Sequence, residues 1–176
     1  MRYALIREMD VSNGEGTGVS LFVQGCPFHC LGCFNQETWD FDKGREWTPE
    51  TEETFFKLID RPFVTRVSIL GGEPLAEQNV ETVRELVYKI KMKYPDKQIW
   101  VYTGNTYEDI AFEVGDPRRD VLTFIDVLVD GRFVLSKQDI TGKYVKWAGS
   151  TNQRVIDVRE SLKDGEVVLY KSMYNG

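Results

Sequence analysis

Four short apolar runs decide what this chain can fold into: SLFVQG (20–25), VTRVSILG (64–71), QIWVYTG (98–104) and DVLVDG (126–131). Each is rich in β-branched or aromatic residues and has the length of a buried strand. The stretches between them read as helices. Thr48, then Pro49, then Glu50, Glu52 and Glu53 make a helix start, with a capping residue, Pro at the first position and acids in the first turn. A second helix is expected from about Asn79 to Tyr94, with Val80, Val83, Val87 and Ile90 on one face and Pro95 ending it. A third helical region, Tyr107 to Ile125, is interrupted by GDP at 115–117. Strands and helices alternating at this spacing imply right-handed βαβ crossovers and a mainly parallel α/β sheet.

The flanks add less. YALIREMDV at the start reads as an added edge strand, and RVIDV and EVVLY as short peripheral strands after Asp130. With no linker, low-complexity segment or repeat, residues 1–176 read as a single domain whose core spans about 18–131. A chain of 176 residues can bury a core without disulfide or metal staples. No stretch approaches the roughly 18 apolar residues of a membrane span. MRYALIREMDVSNGEG meets acids too early for a signal peptide, so a cytoplasmic location is expected. A net charge of −6 argues against nucleic-acid binding, which rests on Lys and Arg neutralising phosphates.

Residues 25–35, GCPFHCLGCFN, hold all three cysteines and the only histidine. An odd count cannot pair fully within the chain, and thiols this close together more often bind metal or do redox chemistry in a reducing compartment. The spacing C-x3-C-x2-C allows three thiolates to hold three corners of an iron–sulfur cube and leave one iron open. Structural zinc is the competing reading, but such sites close with four ligands and only His29 is near, adjoining Cys30. Three incidental thiols are the third. His29 itself reads as a loop or supporting residue.

Ligands of parallel α/β sheets bind beyond the carboxyl ends of the strands. The cysteine loop, GGEP (71–74), Tyr102-Thr103-Gly104 and Asp130-Gly131 all follow strands and so share one edge. GGEP alone reads more readily as a turn and a helix start than as a site. Beside the cysteines, its glycines admit close backbone approach and Glu73 offers a carboxylate to a cationic amine. NGEGTG (13–18) looks like a phosphate cradle but lacks the Lys-Ser/Thr of a P-loop and precedes a strand, so it reads as a flexible turn near the site. Trp39, Trp47 and Trp147 are expected in the core or at an interface.

The motif set resembles the radical S-adenosylmethionine superfamily, and within it the activating proteins of anaerobic (class III) ribonucleoside-triphosphate reductases. The matching stretches are VSNGEGTG, LFVQGCPFHCLGCFNQETWDF, GGEPL followed by QN, IWVYTG, DVLVDGRF and WAGSTNQRVIDV, in order along most of the chain. The resemblance implies a partial, open β/α barrel. It implies that Cys26, Cys30 and Cys33 ligate a 4Fe–4S cluster whose open iron takes the amine and carboxylate of S-adenosylmethionine. Gly32 and Phe34 would line that cofactor, Gly71, Gly72 and Glu73 would hold its methionyl amine, and Thr103, Ser150 and Asn152 would supply remaining contacts. No acid–base pair is needed, because cluster and cofactor carry the hard chemistry. An electron donor such as flavodoxin or ferredoxin would drive cleavage of the sulfonium C–S bond. Hydrogen would then be taken from a glycine near the C-terminus of the reductase; a homodimer is compatible with this reading. Where many superfamily loops carry an aromatic before the last cysteine, this chain has Gly32 and places Phe34 after it. Glu73 stands where these activases often have Asp. The alternatives are another small radical S-adenosylmethionine enzyme (a different glycyl-radical activase or a deazapurine synthase) and a noncatalytic zinc-binding module.

Overall fold

A computed structural model describes residues 1–172. The chain opens with β1 (Arg2–Asp10) and β2 (Gly18–Val23), and the cysteine loop leads to a two-residue β3 (Arg45–Glu46). It then runs through α1 (Pro49–Ile59), β4 (Arg66–Gly71), α2 (Val80–Lys93) and β5 (Gln98–Tyr102). The remainder comprises α3 (Tyr107–Ala111), α4 (Pro117–Leu122), β6 (Val127–Asp130), β7 (Arg154–Asp157) and α5 (Val158–Asp164). The strands form one sheet in the order β3-β1-β2-β4-β5-β6-β7. β2, β4, β5 and β6 run parallel, and antiparallel β1 and β7 flank them. The sheet stays open, as a partial barrel requires, with β3 and β7 at its two edges.

Local chemistry sets the elements as expected. Thr48 caps α1, its hydroxyl accepting from Thr51 N–H, with Pro49 in the first turn. Thr106 and Asp109 close a reciprocal capping box on α3, and Asp116 caps α4 ahead of Pro117, which accounts for the break in that region. Strand residues alternate between faces. Val19, Leu21, Val23, Val67, Ile69, Ile99, Val101 and Leu128 join Phe55, Ile59, Val83, Leu86, Val87 and Ile90 of α1 and α2 in the main core. Burying each such side chain is worth about 1.5–3 kcal/mol.

The other face is more polar, because Ser20, Arg66, Ser68 and Tyr102 alternate with that core set. It is covered in part by an edge-on cluster of Trp100, Trp147 and Tyr170, with ring centroids 5.2, 5.2 and 6.2 Å apart.

Three expectations need correction. YALIREMDV is not at the edge, since β3 pairs outside β1. EVVLY is not a full strand: it makes a single bridge, Leu169 to Ile156, flanked by Tyr170 N–H to Val155 O and Asp157 N–H to Val168 O, and the Tyr170 side chain packs onto Trp100 and Trp147 and bonds Gln98 and Glu15. NGEGTG is no flexible turn. Fully buried Arg66 donates to the carbonyls of Glu15 (3.1 Å), Asn13 (2.7 Å) and Asp10 (2.7 Å), and the Ser68 hydroxyl donates to Asn13 O at 2.6 Å. Gly14 has φ +131°, and a Cβ there would lie 2.5 Å from Arg66 Cδ, so only glycine fits.

Candidate functional site: a cysteine loop above an open cavity

The cysteine loop leaves the end of β2 and is latched before it reaches its thiols. Gln24 Nε2 donates to the carbonyls of Glu37 (3.0 Å) and Asp40 (2.8 Å), while Gly25 N–H and Cys26 N–H donate to Thr38 O and Trp39 O. Asn79 Nδ2 reaches both Gln24 O and Glu73 O at 3.0 Å, tying the cysteine loop to the turn after β4. Phe28 lies between Gly104, where a Cβ would approach to 2.3 Å, and the Arg132 guanidinium, 4.3 Å from its ring centroid. That sandwich clamps the loop to the ends of β5 and β6. His29 stacks on Trp39 with centroids 4.7 Å apart.

All three cysteines are free and half-buried. Each sulfur faces main-chain N–H. Phe28 and His29 present theirs to Cys26, Phe133 to Cys30, and Asn35 to Cys33 at 3.4 Å. Burial pushes the Cys26 thiol up, against the pull of those two amides. Burial and the neighbouring Cys33 charge raise Cys30, opposed by Phe133 N–H and the Arg132 charge. Amide donors aimed at sulfur are what iron–sulfur thiolates use to spread their charge. Among the described residues no three His, Cys, Asp or Glu side chains converge on a single ion. The donor set fits a 4Fe–4S cluster.

GGE folds in beneath. Gly72 N–H donates to Val23 O (2.9 Å) and Glu73 N–H to Gly25 O (2.7 Å), and a Cβ on Gly72 would come within 2.4 Å of Gly25 O. This backbone contact, with Gly71 at φ +101°, explains why two glycines precede the acid. The Glu73 carboxylate is 1% exposed. It accepts from Leu75 N–H (2.9 Å), Thr103 hydroxyl (2.8 Å) and Gly104 N–H (2.7 Å). Burial lifts it to about 6, with those donors holding it back.

A cavity of about 560 Å³ opens here, lined by Cys26, Cys30, Cys33, Phe34, Gly71, Gly72, Glu73 and Thr103 among others. Eight of the residues singled out from sequence therefore share one space. Gly32 stands behind it, packed against Leu135. Ser150, fully buried, accepts from Val134 N–H, and Asn152 donates to Arg132 O; both brace the segment after β6 from outside the cavity. The braces Gln24 and Asn79, and Phe28 with Arg132, were not singled out. All four lie in stretches that carry the resemblance, Gln24 and Phe28 in LFVQGCPFHC, Asn79 in the QN after GGEPL and Arg132 in DVLVDGRF, but nothing local marked them as braces.

The protein-family model described as a 4Fe-4S single cluster domain matches residues 12–156. Several curated relatives bear the name anaerobic ribonucleoside-triphosphate reductase-activating protein. The one from Vibrio cholerae is 38% identical over 155 residues, covering 87% of this chain and 96% of its own. The one from Escherichia coli K12 is 37% identical over 161 residues, covering 90% and 100%. The one from Enterobacteria phage T4 is 34% identical over 155 residues, covering 88% and 93%.

Proposed function

Because the chain belongs to the family of anaerobic ribonucleoside-triphosphate reductase-activating proteins, we propose that it generates a glycyl radical on such a reductase, using a 4Fe–4S cluster and S-adenosylmethionine. The observation that carries this reading is the joint placement of three amide-served thiols and a buried GGE turn around one cavity. Cys26, Cys30 and Cys33 would hold three irons. When bound, cluster and cofactor supply reductive cleavage of the sulfonium C–S bond and removal of hydrogen from the reductase's glycine, with an external donor such as flavodoxin or ferredoxin providing the electron.

The chain's own residues orient and shelter. Phe28, clamped by Gly104 and Arg132, and Asn79, bridging Gln24 and Glu73, keep the thiol loop over the GGE turn. Glu73, with three donors already on its oxygens, presents negative charge beneath the cavity that favours a methionyl ammonium. An ammonium there in turn keeps the carboxylate ionised. Phe34, with its ring 5.2 Å from Phe133, forms an apolar wall for a nucleoside. Gly71, Gly72 and Thr103 line the floor, while Gly32, Ser150 and Asn152 support from behind.

Anaerobic reconstitution tests the proposal. We expect about four iron and four sulfide per chain. Reduced protein, S-adenosylmethionine and the reductase together should then yield a doublet glycyl signal in electron paramagnetic resonance. A colourless, iron-poor chain after reconstitution would refute it.

A further inference from the structure

The segment between β6 and β7 carries a charge opposite to the rest of the chain. Residues 132–146 hold Arg132, Lys137, Lys143 and Lys146 against one acid, Asp139, a net of +3 in a chain of −6, so the remainder carries −9. Asp139 is spent inward. It is 7% exposed and accepts from Thr141 hydroxyl (2.8 Å), Tyr144 N–H (2.8 Å) and Val145 N–H (3.1 Å). Its exposed charged residues are Arg132, Lys137, Lys143 and Lys146. Interleaved with them are Leu135, Ile140 and Tyr144, which are 45%, 79% and 72% exposed.

The same segment walls the cavity through Arg132, Phe133, Asp139 and Ile140. Its Leu135 packs on Gly32 of the cysteine loop, whose own Leu31 is 78% exposed. Exposed apolar side chains interleaved with like charges, on a segment that also walls the cavity, are unlike the scattered single exposures of an ordinary surface. A basic, apolar rim on an acidic molecule selects an oppositely charged partner and steers its approach.

We infer that 132–146 is the docking surface for the protein substrate, and that it fits an acidic surface with apolar contacts flanking the glycine. This rests on the activity proposed above, which requires a polypeptide to enter the cavity. An electron donor needs only to approach the thiol loop, whereas the hydrogen donor must reach the cavity this segment encloses.

The test uses the full-length, cluster-loaded chain and the Lys137→Glu/Lys143→Glu variant. Neither lysine lines the cavity. We expect reductase binding about 10-fold weaker at about 0.05 M salt, with the difference shrinking by about 0.5 M as screening sets in. Iron content and reductase-independent cleavage of S-adenosylmethionine should match the parent. An unchanged dissociation constant and salt dependence would overturn the inference. So would a defect confined to reduction by the electron donor. Salt titration of the unmodified chain tests the same idea without a variant, since affinity insensitive to salt rejects it. If the unmodified, loaded chain makes no glycyl radical at all, the underlying activity has failed rather than the surface.

Discussion

Two glycine-bearing loops flank β2, and they are built to opposite ends. The turn at 13–18, before the strand, is closed on itself: Arg66 fills it, donating to three carbonyls and the Ser68 hydroxyl. Beside it Asp10 is 2% exposed; burial alone would raise its carboxyl, yet donors from Ser20, Asn13 and Ser12 hold it below the usual range. The loop at 24–41, after the strand, is latched at its base by Gln24 and Asn79 but leaves its three sulfurs at the cavity. Glycine thus serves two purposes in one short span. In the first loop it makes room for the protein's own side chain. In the second it lets loops meet so that a ligand's place stays open.

The contrast can be broken by substitution. The largest effect belongs to the open loop, where Cys30→Ala should abolish reductive cleavage of S-adenosylmethionine with the thermal midpoint little changed. Product chromatography and a melt measure both, and retained turnover would contradict the ligand assignment. In the closed loop the expectation inverts. Arg66→Met takes the guanidinium from the buried carbonyls of Asp10 and Glu15, leaving Asn13 O to the Ser68 hydroxyl, and should cost about 3 kcal/mol or more in chemical denaturation. A stable Arg66→Met chain would mean that the turn does not depend on its guanidinium.

Glu73 gives the smallest and most diagnostic shift. Its folded value is raised from 4.5 to about 6, so its contribution to stability is complete below about pH 4.5 and is lost as pH rises through about 6. Over that window the loss is about 2 kcal/mol. Denaturation of the metal-free chain from pH 4.5 to 6.5 should therefore slope downward relative to Glu73→Gln. Parallel curves would show that the buried carboxylate is not what titrates.

Spacing made the cysteine loop legible, and the GGE turn only in its company, because ligand chemistry and close backbone approach each demand particular residue types. The start at Thr48-Pro49 was equally plain, since it caps its helix through neighbours in sequence, whereas GDP at 115–117 read only as a break and proves to be the cap of α4. The NGEGTG turn was misread for the opposite reason. Its partner, Arg66, lies about fifty residues away and looks in sequence like one more charged residue at a strand's start. EVVLY has the composition of a strand, yet Tyr170 is drawn to the rings of Trp100 and Trp147.

Local order therefore determined which side chains are soft enough to bind metal, where the helices begin and which faces are apolar. Long-range packing alone decided how those groups are supported. It set Asn79 as a bridge instead of a cap, and it turned Asp139 onto the backbone N–H groups of Tyr144 and Val145. The physical reason is reach. A cap or a ligand spacing is written within a few residues, whereas a buried polar group takes whichever distant partner the fold brings within hydrogen-bonding distance.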